Sequence, residues 1–190
     1  MTPRERQGSP RTRLFLALEL PDAYRVALAA WRDAQLDLPE LRPVAADQLH
    51  VTLVFLGWQY EREVQTIAAT AFEPLRALRP ATLIATAVKP IPPRRARLVA
   101  LDLDDPDGGA TRAQAAAAEA LASAGLYEPE RRPFWPHVTL ARVKRGRRLT
   151  ALDAADPPGQ PFVAATVTLY RSTLRPQGAL YEALERYELG

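Results

Sequence analysis

Cysteine is absent from the 190-residue chain, and histidine occurs only twice. Without cysteine the protein has no disulfide, no thiolate zinc ligand and no cysteine nucleophile. Long hydrophobic runs are missing too, since the first apolar stretch, residues 14–20, is short and contains Glu19. Neither a signal peptide nor a membrane span is therefore predicted, and we expect a cytoplasmic protein that does not insert into membranes.

Lysine is also scarce, because only Lys89 and Lys144 accompany the arginines among 25 basic residues. The planar guanidinium of arginine matches phosphate oxygens, although an excess of Arg, Ala and Pro can equally come from GC-rich coding. The composition therefore permits an RNA or phosphate partner without establishing one. With 47% hydrophobic residues, the chain is long enough for one well-packed domain or two joined lobes.

Strand and helix patterns are mixed along the chain without strict alternation, which favours an α+β fold with antiparallel pairing. We expect a flexible tail over residues 1–12, followed by a single bilobal domain over residues 13–190. Within the domain, Gly57 is expected to close the second strand. The periodicity predicts strands at 13–20, 49–56, 82–88, 98–103, 137–143, 161–174 and 180–189, and helices from 22, at 61–78, at 110–124 and shortly before Pro157.

Both histidines lie in copies of one tetrapeptide. By the frequencies of the other three residues in this chain, a given histidine would be followed by Val-Thr-Leu roughly once in two thousand cases. The two copies lie 87 residues apart, close to half the chain length. This separation suggests two similar lobes of mainly antiparallel sheet, with helices outside and a central groove between them. The copies are His50-Val51-Thr52-Leu53 and His137-Val138-Thr139-Leu140.

Alternation along a strand places the histidine and threonine of each copy on one face, and valine and leucine on the other. If the lobes face each other, His50, His137, Thr52 and Thr139 converge in the groove. One imidazole can then act as a base while the other acts as an acid, and the threonine hydroxyls can bind phosphoryl oxygens. A phosphodiester fits this set. A single copy would more often be an ordinary strand with a half-buried histidine, but two copies holding both histidines favour function.

Metal binding is not expected, because zinc normally takes three or four protein ligands and the chain has no further His or Cys. No glycine-rich nucleotide-binding loop is present either. We therefore expect no metal and no cofactor.

The sequence resembles the RNA 2′,3′-cyclic phosphodiesterases, also called the 2′-5′ RNA ligase family, of the two-histidine phosphoesterase superfamily. The resemblance covers most of the chain. It departs at Val54, where relatives often carry a polar or basic residue, and at residues 97–101, where many carry Trp and Gly. The matching segments are residues 13–17, 49–57, 134–142, 169–172 and 178–181.

The resemblance implies a hydrolase that opens the terminal 2′,3′-cyclic phosphate of RNA to a 2′-phosphate without a metal. It also implies His50 as the proton donor and His137 as the proton acceptor, although the residues alone do not decide which does which. Two alternatives stay open: 2′-5′ joining of RNA ends by the reverse chemistry, and a non-catalytic RNA-binding module. We expect a monomer.

Further candidate RNA contacts precede the second motif, where cations and rings could hold a backbone and stack on a base. The alternative is a solvated loop with Phe134 in the core. Simple alternation puts Arg142 on the face opposite His137. Two basic runs, residues 94–95 and 144–148, are candidates for phosphate contacts, although such runs are usually only solvated. The candidates before the second motif are Arg131, Arg132, Phe134 and Trp135.

Overall fold

The computed structural model describes residues 10–175 and 178–190, which form nine strands and three α-helices. The strands are β1 (Arg11–Glu19), β2 (Leu41–Pro43), β3 (His50–Tyr60), β4 (Ala81–Ile91), β5 (Leu98–Asp104), β6 (His137–Val143), β7 (Phe162–Ala164), β8 (Thr166–Arg175) and β9 (Gly178–Glu188). The helices are α1 (Asp22–Gln35), α2 (Val64–Phe72) and α3 (Gly109–Ser123).

All nine strands belong to one antiparallel sheet, with the order β7-β4-β5-β6-β3-β1-β8-β9 and with β2 paired to β6. The sheet has two halves, one containing β3 and the other containing β6, and each half holds one tetrapeptide. They are joined at a single residue pair, Val51 opposite Val138. The expected α+β class with mainly antiparallel pairing is confirmed.

The helices pack against the strands with their apolar faces. Tyr24 of α1 stacks on Phe162 of β7 with ring centroids 4.0 Å apart, and Phe72 at the end of α2 stacks on Tyr187 of β9 at 5.7 Å. Arg32 of α1 is only 4% exposed and donates hydrogen bonds to the carbonyl of Val44 and to Asp33. This buried arginine ties α1 to the segment that leads into β3.

Helix α3 forms where alanine content is highest, because alanine has the strongest helix propensity. The Asp105 carboxylate accepts hydrogen bonds from the backbone amides of Ala110 and Thr111, which satisfies donors of the first turn. Gly109 packs so closely on β4 that a Cβ there would lie 2.8 Å from the Cα of Ala81. The helix therefore sits directly on the sheet, where it contacts β4 and also β3, the strand that carries His50.

Several boundaries differ from those expected. Strand β3 continues past Gly57, whose φ of +69° accompanies a register slip against β1, so the glycine forms a bulge and does not end the strand. The helix expected at 61–78 is interrupted, because 3₁₀ turns flank α2 and Pro74 lies in the second. The short helix expected before Pro157 is absent, since residues 149–159 have no regular structure.

The expected tail also differs. Residues 1–9 lie outside the described part of the chain, whereas Arg11 and Thr12 already belong to β1, where they pair with Tyr60 and Gln59. Over residues 10–175 and 178–190, no helix is long and apolar enough to cross a membrane.

Candidate active site

The two tetrapeptides lie side by side at the junction of the two halves of the sheet. Because the strands are antiparallel with Val51 opposite Val138, the neighbouring positions place His50 opposite Thr139 and Thr52 opposite His137. Val51 and Val138 are fully buried, whereas the histidines and threonines stay partly exposed. The expected alternation is therefore confirmed, with valine and leucine on the buried face of each strand and histidine and threonine on the other face.

A cavity of about 450 Å³ opens beside this junction, and His50, Thr52 and Thr139 line it. His137 adjoins the cavity next to Thr52 without forming part of its wall. The remaining wall is strongly cationic and aromatic. Its other members are Arg13, Phe15, Arg42, Val44, Gln48, Phe55, Arg142, Ser172, Leu174, Arg175, Gly178, Ala179 and Tyr181. We call this space the histidine cavity.

Both imidazoles are oriented by the same local contact. The backbone carbonyl of Gln48 lies 2.7 Å from Nδ1 of His50, and that of Trp135 lies 2.8 Å from Nδ1 of His137. A carbonyl can only accept, so Nδ1 carries the proton in each ring and, in the neutral form, Nε2 keeps its lone pair. In His50 this Nε2 lies 3.2 Å from the hydroxyl of Thr52, on the cavity side.

His50 sits among three aromatic rings. The centroids of Phe15, Tyr181 and Tyr170 lie 4.9, 5.3 and 6.0 Å from its own, with Tyr181 edge-on. Loss of solvent lowers the pKa of His50 to about 4, although the Gln48 carbonyl opposes the shift, and the positive fields of His137 and Arg142 lower the pKa further. His50 is therefore neutral near pH 7 in the free protein.

His137 is held by a stacked indole instead. The rings of Trp135 and His137 lie 4.1 Å apart and within 13° of parallel. The indole N–H of Trp135 donates to Asp102, which also accepts a hydrogen bond from Lys89. Burial alone would raise the pKa of Asp102, but the hydrogen bonds from Lys89 and Trp135 outweigh it and hold that pKa below its ordinary value.

The two halves repeat this arrangement of carboxylate, aromatic ring and histidine. Glu19 lies opposite His50 in the β1–β3 pair, as Asp102 lies opposite His137 in the β5–β6 pair. Glu19 accepts a 3.0 Å hydrogen bond from the hydroxyl of Tyr170, one of the rings beside His50. Each histidine thus has an aromatic neighbour that is anchored by a carboxylate from the adjacent strand.

Arg142 lies on the cavity side of β6, so the prediction that it lies on the face opposite His137 is wrong. On β6, Thr139 and Ala141 pair with consecutive residues of β5, which leaves Leu140 as an extra residue. This bulge shifts the alternation by one and turns Arg142 toward the cavity. β3 has the same bulge at Leu53, and Phe55, the position equivalent to Arg142, also lines the cavity.

The other candidates before the second motif do not line the histidine cavity. Arg131 and Arg132 are exposed, and Phe134 packs against the hydrophobic core. Trp135 approaches the site only through its stack on His137. Within residues 10–175 and 178–190, no three His, Cys, Asp or Glu side chains lie together in a way that could hold a metal ion.

Sequence reasoning missed Ser172 of β8, which is 5% exposed and lines the histidine cavity. Its hydroxyl is buried and has no hydrogen-bond partner among the described residues. It missed Arg13 as well, whose guanidinium lies 4.6 Å over the ring of the half-exposed Phe55. Only the matching segments 13–17 and 169–172 of the family resemblance pointed to these positions.

The protein has a two-lobed antiparallel sheet with a His-x-Thr pair in each half, and the two pairs meet beside one cavity. This arrangement defines a two-histidine protein. Residues 20–175 match the sequence profile of the 2′-5′ RNA ligase superfamily. The chain is 30% identical over 187 residues to the RNA 2′,3′-cyclic phosphodiesterase of Escherichia coli K12, covering 93% of this chain and 96% of that protein. The chain belongs to the 2′-5′ RNA ligase superfamily, which confirms the resemblance.

A second relative and a solved structure agree. The RNA 2′,3′-cyclic phosphodiesterase of Thermus thermophilus is 32% identical over 198 residues, covering 93% of this chain and 90% of that protein. The crystal structure of E. coli LigT complexed with 3′-AMP superposes with a TM-score of 0.76 at 28% identity, covering 95% of this chain and 99% of that chain.

Proposed function

We propose that this protein is an enzyme that hydrolyses the terminal 2′,3′-cyclic phosphate of RNA to a 2′-phosphate. The observation that carries the proposal is the pairing of Val51 with Val138, because it brings two imidazoles and two hydroxyls to one junction, where His50, Thr52 and Thr139 line the histidine cavity and His137 lies beside Thr52. The names of the E. coli and T. thermophilus relatives support the same reaction.

We propose that His137 takes a proton from the attacking water while His50 gives one to the leaving 3′-oxygen. A bond forms between phosphorus and the water oxygen as the bond to O3′ breaks, so the phosphate remains on O2′. The carbonyl contacts at Nδ1 support this scheme, because they make Nε2 of each ring the nitrogen that gives or takes a proton. Hydroxyls of Thr52 and Thr139 donate to the non-bridging oxygens.

His50 is neutral in the free protein, so it can act as the proton donor only if the bound substrate raises the pKa of His50. A phosphodiester carries a negative charge, and an anion beside an imidazole favours the protonated form. In this proposal His50 therefore becomes protonated when the substrate binds, and it later gives this proton to the leaving oxygen. Arg142 neutralises the remaining charge from the cavity wall. The 2′-phosphate product leaves with more negative charge than the substrate.

The proposal involves neither a metal ion nor a cofactor, and both expectations stay predictions, as do a monomeric state and a cytoplasmic location. The test is incubation, with a chelator present, of the protein and an oligonucleotide that ends in a 2′,3′-cyclic phosphate. We expect a 2′-phosphate end. A joined strand would instead identify an end-joining enzyme, and unchanged RNA that stays bound would identify a binding module. A variant with both histidines changed to alanine is the control.

A further inference from the structure

Two basic runs that lie far apart in the sequence form one surface groove of about 720 Å³. One run is the loop between β4 and β5, and the other follows β6. All seven cations of this groove are exposed. They are Arg94, Arg95, Arg97, Lys144, Arg145, Arg147 and Arg148. We call it the cationic groove.

The cationic groove contains no carboxylate in its wall. Within the described part of the chain, none of its seven cations forms a salt bridge, and only Lys144 uses its side chain in a hydrogen bond, to the carbonyl of Pro39. The whole chain has a net charge of only +3, so positive charge is concentrated here. Uncompensated like charges repel one another, and a polyanion relieves that repulsion while releasing its own counterions.

The cationic groove is fixed to the active site by strand β6. His137 begins this strand and Val143 ends it, and the amide of Val143 donates to the carbonyl of Arg97 across the groove. At about 3.3 Å per residue, the first cation beyond the strand lies roughly 20 Å from His137. Arg142 lines the histidine cavity between these two points. A nucleic-acid strand stacked at about 3.4 Å per nucleotide covers this distance in about six nucleotides.

We propose that the cationic groove binds the body of the RNA whose cyclic phosphate end occupies the histidine cavity. The inference rests on the proposed function and adds a second contact region to it. RNA is favoured over an acidic protein, because six of the seven cations are forked guanidinium groups and Val143 is the one large apolar side chain among the described residues of the groove wall. The contacts are made to phosphates, so they are independent of base sequence.

The test compares two substrates that share the same 2′,3′-cyclic phosphate end, a dinucleotide and a ten-nucleotide single strand. Wild-type protein is expected to show a KM about tenfold lower for the longer substrate at low salt, and an advantage that shrinks as salt is raised. In the variant Arg145→Glu/Arg147→Glu, this length advantage is expected to disappear. The KM and kcat for the dinucleotide are expected to stay within about twofold of wild type, because the dinucleotide does not reach the loop.

The matched control is Arg76→Glu/Arg79→Glu, which changes the net charge by the same amount. Both arginines are exposed, and they line neither the histidine cavity nor the cationic groove. It is expected to keep the preference for the longer substrate. Equal loss in both variants would show that net charge alone attracts RNA, and an unchanged length advantage in Arg145→Glu/Arg147→Glu would show that the groove does not bind RNA. Either result overturns the inference. Absence of turnover of both substrates by wild-type protein would instead contradict the proposed function.

Discussion

Asp102 lies directly opposite His137 in the β5–β6 strand pair, and its carboxylate accepts the hydrogen bond that holds the indole stacked on that histidine. A flat ring 4.1 Å away restricts rotation of the imidazole, while the carbonyl of Trp135 fixes its Nδ1. The same residue, Trp135, therefore sets both the plane and the tautomer of His137. Asp102 acts through Trp135, so it is a positioning residue.

The first prediction is that loss of this anchor slows catalysis without weakening binding. In Asp102→Ala we expect kcat to fall about tenfold with little change in KM, since small misplacements of a reacting group can cost as much as a hundredfold in rate. Asp102→Asn keeps an acceptor oxygen for the indole and should retain most of the activity. The exposed Lys89 is left solvated in both variants, so stability should change little.

A double-variant cycle checks that Asp102 and Trp135 act together. Trp135→Phe keeps a stacked ring but removes the N–H, and we expect it to lower kcat about as much as Asp102→Ala. The double variant should then be no slower than the worse single variant, because both changes break one interaction. Multiplied losses, or a kcat unaffected by Asp102→Ala, would contradict the positioning role.

The second prediction concerns the histidines themselves. His50→Ala and His137→Ala should each reduce turnover of the cyclic phosphate by at least about a hundredfold, the lower range for loss of a proton-transfer group. Binding of an oligonucleotide with a 2′-phosphate end should be largely retained, since Thr52, Thr139 and Arg142 remain. Wild-type kcat/KM should give a bell-shaped dependence on pH. Full activity in His137→Ala would disprove the two-histidine mechanism.

How far the sequence leads to this site depends on which features are local. The duplicated tetrapeptide predicts two strands and a His-Thr face on each, because alternation needs only neighbouring residues. The pairing of Val51 with Val138 joins strands 87 positions apart, and no local pattern specifies it. The fold class followed from the mixture of elements, but the single junction between the two halves did not.

Two bulges explain why sequence reasoning placed Arg142 on the wrong face and missed Phe55. An extra residue at Leu53 and at Leu140 shifts the alternation by one, so that Phe55 and Arg142 turn into the cavity. Whether a strand bulges depends on its partner, and the sequence of the strand alone does not reveal this. The aromatic setting of His50 was equally hidden, because Tyr170 comes from a strand two positions away in the sheet.

The third prediction is that His50 makes the protein sensitive to acid. Its pKa is about 4 in the folded protein and near 6.5 when unfolded. Between these values the unfolded chain binds a proton that folded His50 does not. The free energy of unfolding is therefore undiminished by His50 above pH 6.5, and it decreases as the pH falls from 6.5 toward 4. At pH 4.5 the loss attributable to His50 should be roughly 2 kcal/mol.

Urea unfolding at pH 7 and pH 4.5 measures this effect in wild-type protein and in His50→Gln. Carboxylates such as Glu19 also have lowered pKa values, because hydrogen bonds from Thr168, Arg186 and Tyr170 outweigh the effect of burial. Their acid sensitivity is common to both proteins, so the difference between the two isolates His50. We expect His50→Gln to lose less stability on acidification. An equal loss in the two proteins would contradict the lowered pKa.

The fourth prediction sets stability against function at Ser172. Its hydroxyl is buried in the wall of the histidine cavity without a partner among the described residues, and an unsatisfied buried hydroxyl costs about 1 kcal/mol or more. Ser172→Ala should therefore raise the free energy of unfolding by about 1 kcal/mol.

The same change should raise KM for the cyclic phosphate several-fold, because a ligand oxygen loses a donor that was already placed and desolvated. Ser172→Cys keeps a similar shape but only a weak donor, and it should give an intermediate KM. Unfolding in urea and steady-state kinetics on the same samples separate the two effects. If Ser172→Ala were more stable with an unchanged KM, the hydroxyl would serve no ligand. Higher stability together with a higher KM in Ser172→Ala would identify the Ser172 hydroxyl as a donor kept for the substrate, so the opposite signs of the two changes are the decisive result.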